Sequence, residues 1–173
     1  MDKHLAYLSI GSNLGNKVLN CTRALSEIEA RGIARILSRS SLYRTEPMDY
    51  LDQDWFVNGA VGMETSLEPL DLLEKLKQVQ ADLGTREKTV RFGPRVIDLD
   101  ILLYDDRIMK SQELTIPHER MHQRAFVMVP LCDIAMDRMH PVLKRTMHEL
   151  LMDLNVNHQG VVPITITKGE KND

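Results

Sequence analysis

The stretch from Val96 to Tyr104 limits the possible folds of this chain more than any other. Its nine residues set Val, Ile, Leu and Tyr around two acids, Asp98 and Asp100. A run so rich in aliphatic and β-branched side chains reads as a strand. Side chains alternate along a strand, so Ile97, Leu99, Ile101 and Leu103 share one face. Val96, Asp98, Asp100, Leu102 and Tyr104 then share the other. The two carboxylates project side by side, about 6.6 Å apart by backbone rise. Acids are disfavoured in strands and like charges repel, so the pair calls for a positive charge between them. A hard cation answers that need, because magnesium takes oxygen ligands: one or two carboxylates with phosphate oxygens and water. The competing reading leaves both acids solvated, or paired with Arg91 and Arg95.

The segment leading into this strand is basic. Between Arg86 and Arg95 stand four cations (Arg86, Lys88, Arg91, Arg95) and one anion (Glu87), a local +3 in a chain of net charge −3. Alone, such a loop is a solvated surface. Beside a metal site it suits a polyphosphate, whose charge neither metal nor arginine alone would neutralise. Arginine grips phosphate with two parallel donors and a charge that does not titrate away. Phosphoryl transfer asks the protein mainly for position and charge compensation, and these residues supply both. There is no Walker motif and no kinase-type glycine loop, so a nucleotide is held in another way.

The rest of the chain fits an α+β domain. Leu5–Ile10 reads as a strand with Ala6, Leu8 and Ile10 on one face. A helix follows, with Val18, Cys21, Leu25 and Ile28 on its stripe and Gly32 as its stop. Ile33–Tyr43 is a second strand candidate, and a long loop runs from Thr45 to Trp55. Val57–Thr65 alternates again, with Asn58 facing away from Val57 and Val61. Ser66 is placed to cap a helix striped by Leu72, Leu76, Val79 and Leu83 and closed by Gly84. Strand, helix, strand, strand, helix, strand is the βαββαβ order of a ferredoxin-like sandwich, an antiparallel sheet with helices packed on one face. A hairpin over Ile108–Ile116 and helices near Phe126–Ala135 and Thr146–Leu154 complete a single domain over residues 1–163. Residues 164–173 are expected to fray.

At 173 residues and 43% hydrophobic, the chain can bury a core without staples. Cys21 and Cys132 make no disulfide framework and read as buried free thiols. The chain has neither a signal-peptide core nor an apolar run long enough to span a membrane. The expected setting is the cytoplasm, with no membrane and no nucleic-acid partner.

The run Arg91-Phe92-Gly93-Pro94-Arg95-Val96-Ile97-Asp98-Leu99-Asp100-Ile101-Leu102 resembles the signature of the hydroxymethyldihydropterin pyrophosphokinase family. The resemblance extends through Gly11-Ser12-Asn13-Leu14, Tyr43-Arg44-Thr45, Pro117-His118 and Arg124-Ala125-Phe126. It implies transfer of the terminal pyrophosphate of ATP to the hydroxymethyl group of a reduced pterin, releasing AMP, in folate biosynthesis. It also implies two magnesium ions on Asp98 and Asp100, with Arg95 and Arg124 joining these acids in catalysis. ATP would meet Arg86, Arg91, Arg95, Ile101, His118 and Arg124. The pterin would meet Thr45, Pro47, Met48, Phe56, Asn58, Asp98 and Phe126, its ring stacked between Phe56 and Phe126. The partners implied are small molecules only, with no obligate protein partner.

The chain departs from the family pattern at four places: Phe92 stands for a common Trp, Gln80 for a glutamate and Glu119 for an aromatic. Thr85 replaces an arginine that Arg86 restores one step later. These bear on the nucleotide side and leave the metal pair and pterin positions intact. The loops Thr45–Trp55 and Gly84–Pro94 are expected to act as lids. Two rivals remain: a sugar-nucleotide transferase built on an Asp-x-Asp pair, for which the chain is small, and a ligand-binding regulatory module, which needs no paired acids.

Overall fold

The first strand candidate becomes an interior strand of the sheet. β1 (His4–Ser12) runs antiparallel to both β4 (Phe56–Thr65) and β5 (Asp98–Tyr104). This computed structural model describes residues 1–84, 93–155 and 160–165. Beyond β4, two short strands, β2 (Arg35–Arg39) and β3 (Tyr43–Thr45), each pair with it, and β8 (Val161–Pro163) adds to β3. Every pairing is antiparallel. A small hairpin of β6 (Met109–Lys110) and β7 (Thr115–Ile116) follows β5.

Alternation decides which face each residue serves. Ala6, Leu8 and Ile10 of β1, Val57, Val61 and Met63 of β4, and Ile97, Leu99 and Ile101 at β5 form one apolar layer. Against it pack Cys21, Ala24, Leu25 and Ile28 of α1 (Lys17–Ala30) and Leu72, Leu76 and Val79 of α2 (Pro69–Asp82). The sequence expectation of helices on one face holds for this pair. The C-terminal helices cover part of the opposite face: α3 (Ala125–Ala135) and α4 (Met147–Met152) pack Val127, Met128, Leu131, Met147 and Leu150 against Tyr7, Ala60 and Leu103. Among the described residues no helix is long and apolar enough to cross a membrane. Both cysteines are free; burial pushes Cys21 up to about 12 and Cys132 up to about 11, which keeps them as thiols.

Three expectations need correction, and one strand was not foreseen. Tyr7 pairs with Leu103 and Leu8 with Ile101, so Leu102 is a β-bulge. The extra residue reverses the alternation after Ile101. Leu103 therefore joins the face of α3, while Tyr104 turns under the helix layer and its hydroxyl donates to the Leu67 carbonyl at 2.6 Å. The single strand expected over Ile33–Tyr43 is split, with a register shift between Ile36 and Ser38. Gly62 permits the close approach there, since a Cβ would lie 2.5 Å from the Ser38 hydroxyl. Ser66 does not cap α2. Thr65 accepts from the Leu67 N–H, and the helix begins at Pro69, where a missing N–H costs nothing. The unforeseen strand is β8, and Ile164, expected to begin a frayed end, donates to the Leu42 carbonyl at 2.9 Å. Residues 166–173 lie outside the described residues.

Leu76 is fully buried, while Leu70 on the same helix is 43% exposed. Leu76→Ala should cost about 2–5 kcal/mol through lost transfer energy plus a cavity. Leu70→Ala should stay within about 0.5 kcal/mol. Urea denaturation of both variants checks the contrast.

Candidate active site

The sheet face away from α1 and α2 is polar where the one toward them is apolar. Ser9, Gly11, Asn58, Asp98 and Asp100 all open into one cleft of about 510 Å³. The parity that buries Leu99 between Asp98 and Asp100 aims both acids into that space. Gly11 sits opposite both Asn58 and Asp98 in register, and a Cβ there would come within 2.5 Å of the Asn58 side-chain oxygen. Asn58 is 5% exposed and donates its amide N–H to the Thr45 hydroxyl. That leaves its carbonyl on the Gly11 side.

The remaining walls come from distant segments. Thr45, Glu46, Pro47, Met48, Asp49 and Gln53 bring the long loop to one side, beside Phe56. His118 and Arg120 follow β7; the His118 N–H donates to the Leu102 carbonyl, and its Nδ1 accepts from the Arg120 N–H at 3.2 Å. Arg124 takes an extended conformation at the N-cap of α3, so it and Phe126 both reach the cleft. The Arg124 guanidinium lies 5.5 Å from the Phe126 ring centroid.

Arg95 is 9% exposed and donates to Asp98 at 2.9 Å. Part of the competing sequence reading, an acid paired with Arg95, thus holds for Asp98. Asn13 fixes the backbone of this arginine with two hydrogen bonds: its own N–H donates to the Arg95 carbonyl, and its side-chain oxygen accepts from the Arg95 N–H at 2.7 Å. The same Asn13 amide donates to the Gln53 side chain at 2.9 Å. Across the cleft, Asp49 lies 3.5 Å from Arg124 and 3.9 Å from Arg120.

Of the residues singled out in the sequence, Thr45, Pro47, Met48, Phe56, Asn58, Arg95, Asp98, Asp100, Ile101, His118, Arg124 and Phe126 line this one cleft. Arg86 and Arg91, with Lys88, Thr85 and Phe92, lie outside the described residues. The sequence reading missed Leu73 and Lys77 of α2 and Leu114 and Thr115 of the hairpin, which also line the cleft. Leu73 looks like a widening of the core stripe of α2, and nothing local marks the hairpin pair. Gln80, noted as a departure, does have a place: its side chain accepts from the Leu99 N–H at 3.1 Å and holds β5 between the two acids.

Residues 7–136, which include every wall of the cleft, match the family model of 7,8-dihydro-6-hydroxymethylpterin-pyrophosphokinase (HPPK). The chain belongs to the HPPK family. It is 44% identical over 132 residues to the 2-amino-4-hydroxy-6-hydroxymethyldihydropteridine pyrophosphokinase of Methylorubrum extorquens, covering 76% of this chain and 83% of that one. The enzyme of the same name from Bacillus subtilis is 40% identical over 131 residues, covering 76% and 78%. The folic acid synthesis protein fol1 of Schizosaccharomyces pombe is 43% identical over 147 residues, 85% of this chain. This chain spans only 20% of that longer protein. Among solved structures, wild-type HPPK-DHPS of Plasmodium falciparum with pterin and p-hydroxybenzoate superposes with a TM-score of 0.70 at 17% identity, over 88% of this chain and 42% of that one. At that identity the likeness concerns the fold.

The donor set of this HPPK cleft suits a hard cation. Two carboxylates share a strand face, and among the described residues no cluster of three or more acids, imidazoles or thiols forms a closed cage. Magnesium is commonly bound in that way, by one or two carboxylates with phosphate oxygens and water completing the shell. Burial, and then the Arg124 charge, hold the His118 imidazole below its usual 6.5. It is therefore neutral at pH 7, with the remaining proton on Nε2, since Nδ1 accepts from the backbone. In the ligand-free protein, NMR should give His118 a titration midpoint below 6.5, and Arg124→Ala should raise it part of the way. Because the folded state prefers the neutral ring, the His118 contribution to stability is present above the usual 6.5 and is lost as pH falls through the depressed midpoint.

Proposed function

We propose that this protein transfers the β,γ-pyrophosphate of ATP to the hydroxymethyl group of 6-hydroxymethyl-7,8-dihydropterin, releasing AMP, as a step of folate biosynthesis. The reading rests on one observation: the paired acids of β5 open into a single cleft whose lining combines aromatic rings, a buried amide and cationic side chains. Phe56 and Phe126 offer flat apolar faces to a cleft that also holds the Asn58 amide and the Thr45 hydroxyl. A bicyclic heteroaromatic fits there, stacked between rings and hydrogen-bonded along its edge. The same lining includes Leu73, Ile101 and Leu114, apolar residues suited to a nucleobase, and Arg95, His118 and Arg124, donors suited to phosphate. Curated relatives that carry this activity as their name, and that this chain covers over most of their length, support the same reading.

The reaction needs an alcohol held in line with the β-phosphorus. The pterin hydroxyl releases its proton to solvent and forms a bond to that phosphorus, while the bond to the oxygen shared with the α-phosphate breaks and AMP departs. Asp98 and Asp100 would hold magnesium, two ions by analogy with the family, whose chemistry is to neutralise phosphate charge and ease loss of the hydroxyl proton. Arg95 and Arg124 compensate charge on the transferring group, and neutral His118 donates from Nε2 to a phosphate oxygen. Arg95 also orients Asp98 by direct pairing. Phe56 and Phe126 exclude water and set the ring plane, which aims the hydroxyl. The Thr45–Trp55 loop closes over the substrates. We read residues 1–163 as one ferredoxin-like catalytic domain acting in the cytoplasm without an obligate protein partner.

Incubation with the reduced pterin alcohol, ATP and magnesium should yield AMP and the pterin pyrophosphate, with no ADP. Production of ADP, or binding without turnover, would sink this assignment. Asp98→Asn and Asp100→Asn should each reduce turnover by about two orders of magnitude or more while circular dichroism stays unchanged. Gly11→Ala should raise the KM for the pterin about tenfold, because the new methyl group displaces the Asn58 amide.

A further inference from the structure

We propose that β8 is a positioning strand for the pterin side of the cleft, holding the root of the Thr45–Trp55 loop. The inference rests on the pterin reading given above. β8 lies outside residues 7–136, so the family match does not account for it. It covers the outer edge of β3, a strand of only three residues whose other edge is taken by β4. Thr45 stands opposite Val161 and Arg44 opposite Val162. The ladder then runs past the end of β3: the Glu46 N–H donates to the Gly160 carbonyl at 3.2 Å, and the Ile164 N–H to the Leu42 carbonyl at 2.9 Å.

Glu46 is where strand gives way to cleft wall, and Glu46, Pro47, Met48 and Asp49 all line the cleft. Gly160 has φ +51, and a Cβ there would sit 2.7 Å from the Glu46 Cγ, so β8 is seated directly on that corner. A three-residue strand bonded on one edge alone is poorly fixed, and its last residue, Thr45, carries the hydroxyl that receives the Asn58 amide. Support on the second edge fixes where that hydroxyl stands and the direction in which the loop leaves the sheet. The apolar residues read as meeting the nucleobase lie on β5, α2 and the hairpin, and β5 stands at the opposite end of the strand order from β8. Support from β8 should therefore be felt by one substrate and not the other.

In an antiparallel ladder the hydrogen-bonded pairs recur at every second residue, which makes Arg44 and Val162 the pair between the two bonds named above. Pro163, lacking an N–H, falls at the non-bonded position opposite Tyr43. The Val162 side chain is 57% exposed, so Val162→Pro removes the donor with little loss of apolar burial. Steady-state kinetics of Val162→Pro should show the pterin KM raised about five- to tenfold, the size of one or two hydrogen bonds, with kcat and the ATP KM within about twofold. Val162→Thr keeps the N–H and should match the unaltered protein. A chain lacking residues 160–173 should show the same selective rise. An unchanged pterin KM, or an equal rise in the ATP KM, would overturn the proposal, as would loss of the whole fold in both Val162→Pro and the shortened chain. An unaltered protein that releases no AMP would instead remove the pterin reading beneath it.

Discussion

Burial of Ile97, Leu99 and Ile101 under the helix layer is the constraint from which the site follows. These side chains are almost wholly removed from water. A strand has only two faces, so committing one to the core leaves Asp98 and Asp100 no choice but the other. A one-residue slip would bury both acids beside Leu76 and Val79, at the large cost of unpaired charge in an apolar layer. The apolar core thus fixes the register of the acids by making every alternative more expensive. Gln80 adds to this from α2 by accepting the Leu99 N–H, and the bulge at Leu102 lies beyond the second acid, where it cannot disturb their spacing.

The acids on one face would repel without compensation, and the surrounding segments supply it. Arg95, nearly buried, pairs with Asp98, and Asn13 locks the backbone of that arginine to the end of β1. Through Gln53 the same asparagine also ties down the long loop. Asp49 of that loop lies close to Arg124 and Arg120, so a loop carboxylate meets the cations that phosphate oxygens would occupy. The cleft is therefore an electrostatically balanced arrangement in which added anionic groups and added cations both find partners. That balance suits a metal-bound polyphosphate better than either component alone, and it explains why the basic residues and the acids of this chain are neighbours.

Much of this was legible in the residues. The strand containing Asp98 and Asp100, the face of Asn58, the core stripes of α1 and α2 and the cleft positions of His118, Arg124 and Phe126 all lay within reach of periodicity and motif. What escaped had a common character. The bulge that moves Leu103 and Tyr104 each to the face not expected for it depends on how β5 meets β1, not on β5 itself. The end of the single strand expected over Ile33–Tyr43 depends on the partner β4, and the helix start at Pro69 on a hydroxyl of Thr65 that engages the next turn. Leu73, Leu114 and Thr115 carry no signal of their own; they become cleft walls because α2 and the β6–β7 hairpin flank β5.

The sequence by itself determined the periodic burial pattern, the α+β class, and the pairing of two acids with a cluster of arginines, since these follow from spacing along one chain and from the chemistry of each side chain. Only the tertiary structure decided the depth of the cleft, the Arg95–Asp98 and Asn13–Gln53 contacts, the cover on both sheet faces and the strand β8 on the edge of β3. Those features join residues tens of positions apart, and their energies exist only once backbone ladders and packed faces have brought the partners within a few ångströms. No local window contains that information.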